Sequence, residues 1–363
     1  MPASKMLKDE QHATELASQS AFLVEETLKT LYRRNPGLKV RYGDAGRQRC
    51  REDILYHFCT LSEALATADP NIYLKYVGWG KCVLVSRKVR ADDLLDCLFA
   101  MQEVIADNAG KSTAESANEI LQLAIDTFDS FADTPESCID PAASLSNLAN
   151  AYLEALLSSD AEQARKVMRS AEQAGLGFEE IYQYVFQPAQ REVGRLWQVN
   201  HISVAQEHYC TATTEMLMGE MHAGKPRAGS DGKFFVAACV AGEQHSIGLR
   251  MVSETMEAHG WRTYFTGANT PTSSLVDMVR RLAVDVMGVS CTTALHLPSL
   301  RVLLKSIRCA NPRTKIMLGG RLFNEFPGLL KKLGADGFAE DARGCVRVAA
   351  KLVGTKPSAS AMV

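Results

Sequence analysis

The sequence is short of nearly everything that would tie it to a membrane, a zinc site or a polyanion. It has no run of about 18 uninterrupted apolar residues, so no membrane-spanning helix is expected. Ten cysteines are scattered over 363 residues without a single CxxC pair. That excludes the common zinc spacings and reads as reduced, buried thiols. Neither sign of charge dominates, since 40 Lys+Arg stand against 42 Asp+Glu. No bulk field therefore draws the chain to nucleic acid or to anionic lipid. The opening MPASKMLKDEQHATE lacks an apolar h-region, so no secretory signal is expected and the cytoplasm is the expected compartment.

What is present is apolar periodicity, and it changes character along the chain. Residues 1–20 are polar and are expected to be a flexible N-terminus. From 21 to 131 the apolar spacing is near 3.6, as in SAFLVEETLKTLYRR, which predicts an all-α domain. A Pro-, Gly- and Arg-rich stretch from Asn35 to Gly46 reads as a loop, and Asp69-Pro70 as a break. The stretch 132–144 reads as a linker. Four amphipathic segments between 140 and 222 predict a four-helix bundle, with Pro188 kinking the third. A second linker, 222–232, follows. Beyond it FFVAACV, RTYFTG, DVMGVS, KIMLGG and DGFAE alternate with helical segments. This predicts an α/β flavodoxin-like domain over 233–353 with a five-stranded parallel sheet, and a disordered tail at 354–363.

An open α/β sheet binds ligands beyond the carboxyl ends of its strands. Three unusual loops fall on that edge here: AGEQHSIG, SCTTALH and GGR. In the first, His245 can offer a neutral imidazole to a metal, and Glu243, two residues earlier, can hold its other nitrogen. Gly248 leaves room for a bulky group at the start of the following helix. Ser290, Thr292 and Thr293 add hydroxyls, and Gly319-Gly320 leaves space for a long, thin group. Upstream, Ser203 and Gln206 form a capping box that puts Glu207 and His208 in the first turn of the last bundle helix. Trp197 ends the helix before it, so Trp197, Glu207 and His208 are expected at one end of the bundle, a flat apolar lid beside a carboxylate and an imidazole that could hold the hydroxyls of a sugar.

GEQHSIG followed by SCTT and LGG resembles the cobalamin-binding domain of B12-dependent methionine synthases, mutases and light sensors. The resemblance implies His245 as the axial cobalt ligand, with Glu243 bonded behind it. It implies a tail cleft lined by Ser290, Thr292, Gly319 and Gly320. VGRLWQVNHISVAQEH is similar to the Trp-x9-Glu-His signature of MerR-type, B12-dependent light-sensing repressors, in which these residues cap adenosylcobalamin. There a cobalt-ligating His follows the Trp, whereas Gln198 stands here; His201 or His208, or water, would have to serve instead after light. Residues 21–131 also lack the basic recognition helix of a MerR-type domain, so direct DNA binding is not expected. HFCTLSEALATADPNIYLKYVGWGKCVLVSRKV loosely resembles helical sensor modules attached to bacterial B12-binding proteins, and His57, Cys59, Trp79 and Cys82 in and beside it read as core rather than as a second cofactor site.

The expected function is a non-enzymatic signalling photoreceptor in transcription regulation. It would bind adenosylcobalamin, hold hydroxocobalamin after light, and signal to a protein partner or to itself through the N-terminal domain. The alternatives are a corrinoid methyl-carrier and a hydroxocobalamin-responsive antirepressor.

Overall fold

The computed structural model describes residues 3–223 and 232–354. The chain separates into two units, one of residues 1–135 with 198–200, the other of 136–197 with 201 onwards.

The first unit is all helix: α1 (Ala3–Arg34), α2 (Gly37–Thr67), α3 (Asn71–Ser86), α4 (Ala91–Asn108) and α5 (Lys111–Asp126). A stripe of Leu16, Leu23, Leu28 and Leu31 on α1 is buried, each such side chain contributing about 1.5–3 kcal/mol. That stripe corrects the expectation of a flexible start. Polar residues near the N-terminus are carried into the helix because Ala13 and Leu16 bury one face. The expected loop at 35–46 is helical as well from Gly37 onward. α2 runs through it, with one kink at Gly43 (φ 63°, ψ −164°), a conformation that in practice only glycine adopts. The arginine-rich stretch is tied down by a buried carboxylate. Asp93 accepts from Arg41 Nη2 (2.6 Å), Tyr42 Oη (2.7 Å) and Asn35 Nδ2 (3.2 Å). His57 and Cys82 are core residues. Trp79 is partly exposed, with its ring beside that of Tyr76.

The second unit begins with the bundle. It comprises α6 (Ser146–Leu157), α7 (Ala161–Gln173), α8 (Phe178–Ile181), α9 (Gln187–Gln198) and α10 (Val204–Ala223). α8 runs into α9 through a π-helical turn, Tyr182–Phe186, in which the Gln187 N–H reaches the Tyr182 carbonyl. This is the local distortion where a kink from Pro188 was expected: proline has no N–H to give the carbonyl four residues back, and the widened turn absorbs the mismatch. Tyr152, Met168, Tyr182, Phe186, Val193, Cys210 and Leu217 fill the bundle core. Of the expected linker at 222–232, residues 224–231 lie outside the described residues, as do 355–363 of the expected tail; His222 and Ala223 still belong to α10.

The five strands are β1 (Phe234–Cys239), β2 (Arg262–Phe265), β3 (Val286–Ser290), β4 (Lys315–Gly319) and β5 (Gly337–Phe338). All pair in parallel in the order β2-β1-β3-β4-β5, the flavodoxin-like topology. β1 and β3 are buried at every position, as central strands covered on both faces must be. Gly288 admits the Phe235 ring, which would lie 2.5 Å from any Cβ placed there. The crossovers are α11 (Ile247–Ala258), α12 (Thr272–Arg281), α13 (Leu297–Ala310), the short α14 (Arg321–Glu325) and α15 (Leu329–Leu333), and α16 (Ala342–Leu352) closes the domain.

Bundle and sheet domain meet along α11. Met251 joins the bundle core. Glu254 accepts hydrogen bonds from Tyr182 and from Arg250. His222 pairs with Glu257 at 3.0 Å, and Glu179 with both His259 (2.9 Å) and Arg343 (3.0 Å).

Candidate functional site

The order 2-1-3-4-5 makes β1 and β3 the switch point, and the loops beyond their carboxyl ends diverge to leave a crevice. The loop after β1 is fixed by a partner from the next crossover. Asn269 donates its N–H to the Glu243 carbonyl (2.8 Å) and accepts from the Gly242 N–H through its side chain (2.7 Å). This anchoring turns the Glu243 side chain inward, where it is fully buried.

A buried carboxylate must have its oxygens satisfied. Glu243 Oε1 accepts from the His245 backbone N–H (3.0 Å) and from the His245 imidazole at Nδ1 (2.5 Å). Oε2 accepts from the Thr292 N–H at 2.6 Å. Burial works to raise the Glu243 pKa, but the imidazole and the two backbone N–H groups outweigh it and hold the carboxyl down at about 2. The same hydrogen bond raises the pKa of His245 against an opposing desolvation, and the Glu207 carboxylate raises it further. With Nδ1 committed to Glu243, the ring presents Nε2 outward, and the His245 side chain is 67% exposed.

The expected companions gather on the same edge. Ser290 pairs in register with Cys239 on one side and Gly319 on the other. The Thr293 hydroxyl is buried without a hydrogen-bond partner among the described residues. Gly320 takes φ 101°, and a Cβ there would sit 2.6 Å from the Cys291 carbonyl. A Cβ on Gly248 would meet nothing within 4 Å.

On the bundle side, the capping box forms as expected: the Ser203 N–H reaches Gln206 Oε1 at 3.0 Å, and the Gln206 N–H reaches Ser203 Oγ at 3.2 Å. Trp197 packs on the edge of the bundle core. Glu207 is braced by Thr211 (2.9 Å) and lies near enough to His245 for its charge to act on the imidazole. His208 is less committed. Its ring is 74% exposed and lies 3.5 Å from Glu207. His201 is also exposed.

Two residues were missed in the sequence. His296 sits behind the loop that follows β1, its Nδ1 3.0 Å from where a Gly242 Cβ would be, and it interacts electrostatically with both Glu243 and His245. Burial lowers its pKa. Arg321, directly after Gly319-Gly320, lies close enough to oppose the charging of His245. The signal for both was position alone, within loops already singled out.

The donor set suits a metal that arrives with most of its ligands. Among the described residues no group of three or more His, Cys, Asp or Glu side chains could hold a bare ion. One oriented imidazole, an orphaned hydroxyl and a bare helix start at Gly248 fit a macrocycle-bound metal.

The comparisons with known proteins agree. Residues 234–346 and residues 148–221 each match a family model described as a B12 binding domain. Dimethylamine corrinoid protein 1 of Methanosarcina acetivorans is 28% identical over 164 residues, covering 45% of this chain and 74% of the relative. The HTH-type transcriptional repressor CarH of Myxococcus xanthus is 27% identical over 154 residues, covering 41% of this chain and 50% of the relative. Among solved structures, the monomethylamine corrinoid protein of Methanosarcina barkeri aligns with a TM-score of 0.48 at 16% identity, over 58% of this chain and all of the other. Helical bundle and sheet domain alike, at residues 148–221 and 234–346, are thus B12 binding domains carried by this chain.

Proposed function

We propose that this protein is a cobalamin-binding signalling protein, specifically an adenosylcobalamin photoreceptor that reports to a protein partner or to a second copy through its N-terminal helical domain. The observation that supports the reading is the imidazole of His245, oriented by the buried Glu243 and close enough to Glu207 of the bundle to feel its charge; Trp197 packs at the edge of the same bundle core.

In this reading His245 Nε2 would hold the cobalt, with Glu243 keeping the imidazole oriented. Ser290, Thr292, Thr293, Gly319 and Gly320 line the cleft that takes the cofactor's tail. Trp197 covers the upper face, and Glu207 with His208 offers acceptors and donors to a nucleoside. Bound adenosylcobalamin supplies a cobalt–carbon bond that visible light breaks. The chain's own part is to hold the adenosyl group in the dark and to lose those contacts in the light, which biases bundle and sheet domain toward a new arrangement. With Gln198 where the light-sensing repressors have a histidine, the lit state would take water, His201 or His208.

The competing reading is a corrinoid methyl-carrier, favoured by relatives named dimethylamine corrinoid proteins that match over 74% to 99% of their own length. A third is a hydroxocobalamin-responsive antirepressor. The test is to reconstitute the protein with adenosyl-, methyl- and hydroxocobalamin and to record spectra and elution volume before and after green light. Selective adenosyl binding with a light-driven change in both readouts is expected. Tight methylcobalamin binding that supports methyl turnover without a light response would favour the carrier, and uptake of hydroxocobalamin alone would favour the antirepressor.

A further inference from the structure

The last four carbonyls of a helix have no partner within it and must find donors elsewhere. Those at the end of α9 find them in two places. The His201 N–H returns to the Leu196 carbonyl at 2.8 Å, with Asn200 in the left-handed conformation (φ 58°), the arrangement of a Schellman turn. That closed turn ties Gln198, Val199 and Asn200 to Trp197. The Gln198 carbonyl is satisfied differently. It accepts from Ser86 Oγ at 3.1 Å and from Arg87 Nη1 at 3.0 Å.

Ser86 ends α3, and Arg87 follows it. Arg87 Nη1 also donates to the Val83 carbonyl (3.0 Å), as does Ser86 Oγ (2.9 Å). One guanidinium therefore serves the carboxyl ends of two helices, where the helix dipole favours a cation. Val199 is buried. Residues 198–200 accordingly cluster with the N-terminal helices and not with the bundle residues that flank them in sequence. The chain leaves the second unit after Trp197 and rejoins it at His201. A turn between two bundle helices needs no such donors for its own sake, since water satisfies an exposed helix end.

We infer that the turn Gln198–Asn200 couples the cap to the N-terminal unit. What lies under Trp197 is passed through the Gln198 carbonyl to Ser86 and Arg87, and so to α3. This rests on the reading of Trp197 as the cover of bound cobalamin given under Proposed function, but not on light. Trp197 and Gln198 share one closed turn, so a displacement of the first carries the second. A shift of about 1 Å is enough to break hydrogen bonds of this length. Arg87 is a positioning residue in this coupling and touches no cofactor.

The experiment is amide hydrogen exchange of the full chain, read by mass spectrometry, as apoprotein, with adenosylcobalamin in darkness, and after green light. The amides of Arg87, Lys88 and Val89 are the probes, each bonded at 3.0 Å to a carbonyl in the last turn of α3. In the parent, exchange at 87–89 should differ about threefold or more between apoprotein and loaded protein, together with exchange at 198–202. In Arg87→Ala the difference at 198–202 should persist, while that at 87–89 falls to less than about half. Arg87→Lys, which keeps a cation at the site, should restore most of it. If the alanine variant does not fold, Ser86→Ala decides, with a smaller loss of the same sign. A parent in which 198–202 responds and 87–89 does not, or an alanine variant that responds as the parent does, overturns the inference. Bound cobalamin that leaves 198–202 unchanged overturns the cap reading beneath it. Identical exchange in darkness and after light would overturn the photoreceptor reading and leave the coupling standing.

Discussion

Two histidines, one in each unit, are held in opposite ways. His57, in the N-terminal unit, is 3% exposed. Its Nδ1 lies 3.1 Å from the Tyr73 hydroxyl, and the Tyr76 ring meets it edge-on at 4.9 Å. Burial strips it of charge and pushes its pKa down to about 4. His245 has the reverse arrangement, a buried carboxylate behind and solvent in front, and its pKa is raised. Both imidazoles have a hydrogen-bonded Nδ1. The difference lies in what surrounds the rest of the ring: His57 is enclosed by core, while His245 is presented. Availability as a ligand is set by that difference and not by the residue type.

The comparison is tested most severely at His245. His245→Ala is expected to abolish the His-on spectrum of bound cobalamin. The apoprotein should melt somewhat lower but still fold, because the buried Glu243 carboxylate loses its imidazole partner and keeps the two backbone N–H groups of His245 and Thr292. Absorption spectra and calorimetry check both halves, and a retained His-on spectrum would sink the assignment.

The second test uses pH. His57 is neutral in the fold down to about pH 4, whereas an unfolded histidine takes its proton near 6.5. Between those values the unfolded state binds more protons, so stability is lost as pH falls. The full effect is about 3 kcal/mol. Urea unfolding of the N-terminal unit's signal at pH 7, 5.5 and 4 should show a net loss, smaller than this because Asp53 opposes it, and His57→Phe should remove the loss and leave the reverse slope.

The smallest expected effect has the opposite sign. Burial, and then Glu52, push the Asp53 pKa up to about 6 from an ordinary 3.8. Over that interval the fold binds more protons than the unfolded chain, so stability falls as pH rises. Asp53→Asn should therefore stabilise the unit at pH 7, by about 1 kcal/mol once partial exposure is discounted. It should also steepen the acid-side loss due to His57, which the parent's Asp53 partly masks. An unchanged pH profile in this variant would show that Asp53 is not desolvated as described.

The same contrast explains what was legible in the sequence. The sheet declared itself because β1 and β3 are continuous apolar runs, and the crevice because three short loops carry their chemistry in consecutive residues. The Glu243–His245 pair needed no tertiary knowledge: two residues of separation sufficed. The N-terminal unit was harder to read. Gly37 to Gly46 looks like a loop, yet it is helical because Asp93, more than fifty residues away, gathers Arg41 and Tyr42 and because Gly43 absorbs the kink. The length of α1 was hidden in the same way, since Leu16 is isolated among polar residues and only tertiary burial makes it part of a stripe. His296 and Arg321 became meaningful only when their loops met those of Glu243 and His245.

The π-helical turn at Tyr182–Phe186 has a geometric consequence further along the chain. Each residue of an α-helix advances the azimuth by about 100°. A turn holding one extra residue therefore offsets everything after it by that angle relative to an uninterrupted helix. Arg191, Gly194 and Trp197 all lie downstream. Restoring ideal winding there would rotate all three about the α9 axis by more than a quarter-circle, so the direction in which Trp197 faces is encoded a dozen residues before the tryptophan itself.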